Sequence, residues 1–275
     1  MLAALTIKLC SMFKVPHDPS KAKIQAIIRK KLFTNKLTCP QCQRRYTGKI
    51  GDRYWCKNCR LKFSLKTTTI FKGSKLPWTT LWKLLSCWLT PLSISQGSWV
   101  CQVSEVTTRR WYRKFAASLP HEHPVLQGVV EVDEAFIGKQ RYGNQKIVVG
   151  ALERSTGRVV LRIVPNREMG TLDRFLLDHI TPTSMVYTDA WPGYEHITEF
   201  FGFGHESTNH SLGHFGITNR IENTWMRFRS FIRKTVARAW KEHLPRLMRE
   251  FQARNNHKEA FSSPINFLAF VFQVG

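Results

Sequence analysis

The sequence predicts an α/β protein of several domains, in which small basic modules precede a larger domain that carries most of the acidic residues. Three observations lead to this prediction. The chain has 275 residues, of which 43% are hydrophobic, enough for two or three compact units. Lys and Arg number 42 against 19 Asp and Glu. From Gly128 onward, the hydrophobic pattern changes from helical spacing to the alternation of strands.

The uneven charge predicts where a polyanion binds. Residues 1–76 contain 18 Lys/Arg and 2 Asp/Glu, whereas residues 128–275 contain 19 and 15. A net charge of +23 is typical of proteins that bind nucleic acid. No segment has the run of roughly 18 apolar residues that a membrane span requires, so we expect no membrane partner. Four of the seven cysteines form Cys-x-x-Cys pairs, which favours metal binding in a reducing cytoplasm over disulfides.

The two Cys-x-x-Cys pairs predict a zinc ribbon. Thirteen residues separate the pairs, and residues 44–55 between them read as a β-hairpin with a turn at Gly48 and Gly51. Four thiolates complete a tetrahedral site with no open position, so we expect one structural zinc per chain. The expected ligands are Cys39, Cys42, Cys56 and Cys59. The zinc ion by itself would only stabilise a segment that is too small to form a hydrophobic core. The functional part is then the basic surface, and Arg44, Arg45 and Arg53 are its candidate DNA contacts.

A small helical domain follows, which we interpret as helix-turn-helix-like. Residues 77–90 carry apolar side chains at helical spacing, residues 94–101 form a second candidate helix, and Ser104 is a candidate N-cap for a helix over 105–115. In that helix, Val106, Trp111 and Phe115 are available for packing. The candidate DNA contacts on its other face are Arg109, Arg110, Arg113 and Lys114. The alternative is a plain helical linker with a solvated charged face.

The order of elements after residue 128 predicts an RNase H-like mixed sheet. Residues 129–134 alternate, so that Glu131 and Asp133 project from one face and Glu134 from the other, where a salt-bridging role is expected. Further strands are expected over 146–153, 158–165 and 185–189, with a helix over 171–180 before the last of them. If the first and fourth strands are neighbours, Asp133 and Asp189 come together.

Two neighbouring carboxylates are ligands for Mg²⁺, and two such ions are the usual number in phosphodiester chemistry. A third acid is expected from a helix over 218–234. Glu222 is the only acidic residue in that helix, and Arg229 lies two turns along the same face. Asp189 could instead be a turn-forming residue before Pro192, and Glu222 could be half of an ordinary helix ion pair.

The segments VEVDEAFIG, KIVVGALER, VYTDAWPGY, HESTNHS and ITNRIENTWMRFR together resemble the DDE-type transposases of bacterial insertion sequences. The resemblance is closest to the ISXO2-like branch, which begins with a zinc ribbon. It implies that Asp133, Asp189 and Glu222 hold two catalytic Mg²⁺ ions. Arg229 matches a basic residue that is usually Lys, so the charge is kept but the geometry differs. Some relatives use Asn or His as the third group, which makes Asn219 the alternative third ligand.

The resemblance implies cleavage and strand transfer of double-stranded DNA by a homodimer or larger synaptic assembly. The alternatives are an RNase H-like nuclease or resolvase that cuts without joining, and a non-catalytic zinc-ribbon DNA-binding protein. The predicted division has four parts: a basic segment over 1–36, a zinc ribbon over 37–76, the helix-turn-helix-like domain over 77–120 and the catalytic domain over 121–275.

Overall fold

The structure is a computed structural model that describes residues 19–33, 37–44, 47–138, 145–208, 218–236 and 240–274. These residues form two compact units. The first unit contains the described residues up to 90, with 94–115 and 263–274; the second contains 91–93 and the described part of 116–262. Within those ranges, no helix is long and apolar enough to cross a membrane.

The first unit begins with a helix and a small sheet. Its elements are α1 (Lys21–Phe33), β1 (Thr47–Ile50), β2 (Arg53–Cys56), β3 (Lys62–Phe63), α2 (Trp78–Leu89), α3 (Ile94–Cys101) and most of α4 (Glu105–Ala117). The three strands pair antiparallel in the order β1-β2-β3, and β1 and β2 form the hairpin that the sequence predicts. Of that predicted hairpin, Arg45 and Tyr46 lie outside the described residues, as do residues 1–18 of the basic segment.

Helix α4 packs through a stripe of side chains at helical spacing. Trp111 and Phe115 are buried as expected, with ring centroids 5.6 Å apart. Ser104 Oγ accepts the Thr107 N–H at 3.2 Å, which confirms the predicted N-cap. The expected packing of Val106 is wrong, because this side chain is 72% exposed. The buried positions 108, 111, 112 and 115 define the inner face, and position 106 lies about half a turn away from it.

The second unit is a five-stranded sheet with helices on both faces. Its elements are β4 (Val129–Ile137), β5 (Lys146–Glu153), β6 (Val159–Val164), α5 (Met169–His179), β7 (Met185–Asp189), α6 (Ile197–Phe201), β8 (Gly204–Thr208), α7 (Asn219–Thr235) and α8 (Trp240–Asn256). The strand order is β6-β5-β4-β7-β8. Strand β5 pairs antiparallel with both β6 and β4, whereas β7 runs parallel to both β4 and β8. This is the RNase H-like arrangement that the sequence predicts, with strand β8 in addition.

The two faces of the sheet have separate cores because residues alternate along each strand. Val130 and Val132 of β4 belong to the core on the side of α5 and α6. Ala135 and Ile137 belong to the core under α7 and α8. Glu131 and Asp133 share the face of this second pair, so their side chains are directed toward the α7 side of the sheet. Strand β4 therefore connects the acidic residues to the helix that carries Glu222.

The C-terminal helix, α9 (Pro264–Val274), differs from the predicted division of the chain. It groups with the first unit rather than with residues 121–262, because it packs on α1 and α2. Phe267 is fully buried, and its ring centroid lies 5.0 Å from that of Trp88. The C-terminal helix, of 11 residues, therefore contributes to the core of the first unit, although the rest of that unit comes from the N-terminal part of the chain.

Candidate active site and cysteine cluster

Asp133 and Asp189 occupy equivalent places on neighbouring parallel strands. The register pairs Val130 with Val186 and Glu131 with Tyr187, and each aspartate follows two residues after the last of these pairs. The predicted neighbourhood of the two strands is therefore confirmed. Both side chains are half-buried at the carboxyl end of the paired segment. Their assignment as metal ligands stays a prediction.

The electrostatics of this carboxylate pair favour a bound cation. Burial, the nearby charge of Glu134 and that of Asp189 raise the pKa of Asp133 to about 6, despite lowering by a hydrogen bond from Trp225. Asp189 Oδ1 is buried and has no hydrogen-bond partner among the described residues. An anionic oxygen without a donor is unfavourable in a buried place. A divalent cation would satisfy this oxygen and offset the charge of the pair, so the residues fit a hard metal ion.

The indole of Trp225 holds Asp133 from helix α7. Trp225 Nε1 donates a hydrogen bond of 2.9 Å to Asp133 Oδ2, and the indole is only 3% exposed. Its ring lies over Gly150, the residue that pairs with Asp133 across β4 and β5. A Cβ atom at Gly150 would stand 2.5 Å from Trp225 Cη2, a separation that real side chains do not adopt. The lack of a side chain at position 150 is therefore what admits the indole to Asp133.

Glu131 is held by a second set of contacts on the same face of β4. Its side chain is fully buried. Oε2 accepts the backbone N–H groups of Arg220 and Ile221, each at 2.9 Å, at the start of helix α7. Oε1 accepts a hydrogen bond of 2.7 Å from Arg154 Nε. The sequence places Glu131 beside Asp133 but carries no signal for these partners.

Glu134 points to the opposite face of β4, as predicted. Arg167 donates to it at 2.8 and 3.0 Å, and the Tyr194 hydroxyl donates to its other oxygen. This confirms the predicted salt-bridging role. Burial raises the pKa of Glu134, although Tyr194 and Arg167 oppose the rise. The Arg167 guanidinium also lies 4.0 Å from Asp189 Oδ2 and stacks 4.0 Å from the Trp191 ring centroid, so it balances negative charge beside the aspartate pair. Arg167 was not predicted.

Glu222 lies in the first turn of α7, one turn before Trp225, and its side chain is exposed. Thr218 Oγ1 donates to its carboxylate at 3.2 Å. Asn219 and Arg229 are exposed as well. Among the described residues, Asp133, Asp189 and Glu222 do not gather at the mutual spacing of metal ligands; the four cysteines do. The choice between Glu222 and Asn219 as third ligand stays a prediction.

The four cysteines form two knuckles with the same geometry. Their Sγ atoms all lie within 4.8 Å of one another. In the first knuckle, Gln43 N–H donates to the Cys39 carbonyl, and in the second, Arg60 N–H donates to the Cys56 carbonyl, both at 2.9 Å. Gln43 and Arg60 have left-handed φ angles of 55° and 58°. With the three-stranded sheet, this arrangement is consistent with a zinc ribbon.

Known proteins that resemble this chain agree on one family. A model described as the ISXO2-like transposase domain matches residues 125–256. An uncharacterized protein in transposable element ISH50 of Halobacterium salinarum is 24% identical over 265 residues, which cover 84% of this chain and 88% of that protein. An uncharacterized transposase-like protein of Haemophilus influenzae is 30% identical over 106 residues, 37% of this chain and 84% of that protein. This chain belongs to the ISXO2-like transposases.

Among solved structures, the catalytic core domain of HTLV-2 integrase in complex with magnesium matches this transposase with a TM-score of 0.36 and 12% identity. The match covers 48% of this chain and 87% of that one. A TM-score of this size does not establish a shared fold. The RNase H-like fold is therefore assigned from the strand order and directions of the sheet itself.

The candidate DNA contacts of the transposase are mostly exposed in its first unit. Exposed positions are Arg44, Arg53, Arg109, Arg110 and Arg113. Lys114 differs from them: its Nζ donates to the Lys72 carbonyl at 3.0 Å and lies 4.8 Å from the Trp111 ring centroid. Its charge is therefore engaged within the domain. Arg45 lies outside the described residues.

His121 and His123, at the start of the predicted catalytic domain, make contacts within the second unit. Arg249 Nη1 lies 2.7 Å from His121 Nε2, and Arg162 Nη2 lies 3.1 Å from His123 Nδ1. Glu122 pairs with His257 at 2.6 Å. These three side chains therefore take part in polar contacts within the second unit.

Proposed function

We propose that this transposase cuts DNA at the ends of an insertion sequence and joins those ends to target DNA, in a reaction that depends on two Mg²⁺ ions held by Asp133, Asp189 and Glu222. The geometry of the pair supports this most: Asp133 and Asp189 lie on adjacent parallel strands, and a buried Asp189 oxygen has no hydrogen-bond donor among the described residues. Bound Mg²⁺ ions would activate the attacking oxygen and stabilise the charge on the entering and leaving oxygens.

The roles of the surrounding side chains follow from their contacts. Trp225 keeps Asp133 in one orientation through a part-buried hydrogen bond. Arg167 pairs with Glu134 and lies 4.0 Å from Asp189 Oδ2, so it reduces the negative charge beside the aspartates. Arg229, exposed two turns beyond Glu222, is positioned to contact a DNA phosphate with its planar guanidinium. The exposed arginines of the zinc ribbon and of α4 would bind the transposon end.

Strand transfer separates this proposal from a nuclease of the same fold. We expect a pre-cut end with a free 3′-hydroxyl to be joined to supercoiled plasmid in the presence of Mg²⁺. The in-line attack that cleaves a phosphodiester with water serves equally for a DNA hydroxyl. Joined products are measured by gel electrophoresis and sequencing of the junctions. Hydrolysis of the ends without any joined product would indicate a nuclease. The absence of both hydrolysis and joining would indicate a DNA-binding protein without catalytic activity.

Assembly is the second part of this test. Joining both ends of one element requires two active sites at a synapse, so we propose that the active species is a homodimer or larger complex on DNA. Light scattering of the protein with paired end duplexes measures this directly.

We also propose that the cysteine cluster holds one structural zinc ion per chain. Four thiolates leave no open position on a tetrahedral ion, which suits a structural and not a catalytic site. Cys56→Ser is expected to lose zinc and end binding together, because the metal takes the place of a hydrophobic core in so small a sheet. Metal analysis and end-binding titrations measure the two effects.

The matched control for this prediction is Cys101→Ala. Cys101 is also buried, but its neighbour is Cys87 in the helical domain, at an Sγ–Sγ distance of 3.7 Å. It should keep one zinc and bind DNA ends. A wild-type protein that carries no zinc after purification under reducing conditions would contradict the proposal.

A further inference from the structure

We infer that Glu131 is a positioning residue that sets the place of helix α7, and with it Glu222, relative to Asp133; this rests on the proposed function. Glu131 is fully buried beneath helix α7 and does not face solvent. Its two oxygens receive three hydrogen bonds, two from the first turn of α7 and one from Arg154. It therefore connects the strand of one expected ligand to the helix of another.

Helix α7 needs this contact because its own sequence does not supply a cap. The first N–H groups of any helix have no partner within the helix. Thr218 occupies the N-cap position, but its side chain makes no capping hydrogen bond and donates to Glu222 instead. Glu131 receives the Arg220 and Ile221 N–H groups in its place. A carboxylate is favoured there by the positive end of the helix dipole as well.

Only an ionised carboxylate can accept all three hydrogen bonds. Its oxygens are acceptors on every side, whereas the amide of glutamine has one oxygen and an NH₂ group that must donate. In Glu131→Gln, that NH₂ group would face either the helix N–H groups or the Arg154 guanidinium. One end of the contact would then be repulsive. The substitution thus disturbs the connection without changing the volume of the side chain.

The contacts of Glu131 and of Trp225 both join strand β4 to helix α7. Glu131 and Asp133 lie two residues apart on one face of β4, roughly 7 Å at the rise of a strand. Glu131 holds α7 at Arg220 and Ile221, and Asp133 is bonded to Trp225 one turn later. Glu222 lies between these two points on the helix. Both ends of the segment that carries Glu222 are therefore tied to the strand that carries Asp133.

The test compares Glu131→Gln with Glu153→Gln. Glu153 is 2% exposed, lies on the neighbouring strand β5, and accepts hydrogen bonds from Gln127, Ser155 and Thr156, none of them in α7. Both variants lose hydrogen bonds to a buried carboxylate. Only the first should weaken metal binding, by about tenfold or more, as expected when a group that orients a ligand is changed. Calorimetric titration of the zinc-loaded full-length protein with Mn²⁺ measures this without catalysis.

Kinetics supply a second readout. In Glu131→Gln, kcat for end cleavage should fall and the Mg²⁺ concentration for half-maximal rate should rise, while KM for end DNA stays within about twofold of wild type because the arginines of the first unit are untouched. Glu153→Gln should keep wild-type values of all three. Equal loss of metal affinity in both variants, or wild-type affinity in Glu131→Gln, would overturn the inference.

Two further measurements keep the outcome decisive. If Glu131→Gln does not fold, Arg154→Met removes one of the three hydrogen bonds at a side chain that is 30% exposed, and a smaller loss of Mn²⁺ affinity is expected from it; wild-type affinity there would overturn the inference. If wild-type protein binds no Mn²⁺, or if Asp133→Ala binds it as tightly, the proposed function fails instead.

Discussion

Asp133→Ala, Asp189→Ala and Glu222→Ala are each expected to lose DNA end cleavage by about a thousandfold or more, while end binding is retained. Metal ions contribute several kcal/mol to the stabilisation of charge in such reactions, and each 1.4 kcal/mol corresponds to roughly a factor of ten in rate. Binding is retained because the exposed arginines of the zinc ribbon and of α4 lie in the other unit. Cleavage of a labelled end duplex in Mg²⁺ and a titration of end binding by the zinc-loaded protein without added Mg²⁺ measure the two properties.

Asn219→Ala is the control within the same helix. Asn219 and Glu222 are both exposed and lie one turn apart at the start of α7. An anionic carboxylate offsets the charge of a second Mg²⁺ ion, which a neutral amide cannot do, so Asn219→Ala should retain measurable cleavage. If Glu222→Ala still cut DNA and Asn219→Ala did not, the third ligand would be Asn219, and the RNase H-like fold and the reaction class would be unaffected.

Glu222 differs from the two aspartates because its side chain is exposed, so the substitutions on α7 test the third ligand directly. Asp133 and Asp189 are half-buried on adjacent strands, whereas Glu222 is exposed on α7, and among the described residues the three carboxylates do not lie within ligand spacing of one another. The proposed third ligand lies on helix α7, which packs on the sheet through side chains, whereas the two aspartates lie on strands joined by backbone hydrogen bonds. Metal binding is therefore expected to draw Glu222 toward the aspartates, and the contacts of Glu131 and Trp225 limit how far α7 must move.

The aspartate pair could be predicted from the sequence because it depends on local pattern and element order alone. Alternation on β4 placed Asp133 on one face, and a strand that ends at Asp189 is visible in its run of Val, Tyr and Thr. The structure confirms strands Lys146–Glu153 and Met185–Asp189 at the predicted bounds. Parallel pairing of β4 with β7 then brings the two aspartates together without further information.

Other features depend on contacts that no local pattern encodes. Strand β8 has the sequence GHEST, which is short and polar, and it forms a strand only because β7 offers an edge to pair with. The helix over 264–274 is mostly apolar, so its composition predicts burial but not the partner. The roles of Glu131 and Gly150 require the register of β4 with β5 and the docking of α7, which are tertiary facts.

Gly150→Ala tests that docking and is expected to impair cleavage far more than its size suggests. The added methyl group would meet Trp225 at 2.5 and 2.6 Å and Leu161 at 3.0 Å, in a core that is already filled. Overpacking of this kind costs about 1–3 kcal/mol of folding free energy. It must also shift the indole that holds Asp133, and a displacement of about 1 Å at a reacting group can lower the rate by roughly a hundredfold. Thermal unfolding and end cleavage measure the two losses.

The control is Gly170→Ala, in the first turn of α5, where an added Cβ meets nothing within 4 Å. Alanine is favoured over glycine in a helix by about 0.5–1 kcal/mol, so this variant should be as stable as wild type or more so, and fully active. A second comparison uses Trp225→Phe, whose shorter ring leaves room for the methyl group but has no N–H for Asp133. Adding Gly150→Ala to Trp225→Phe should then lower cleavage by less than threefold or so, because both changes act on the same contact and their effects do not add. Full additivity of the two substitutions would mean that Gly150 acts on cleavage by a route other than the Trp225 indole.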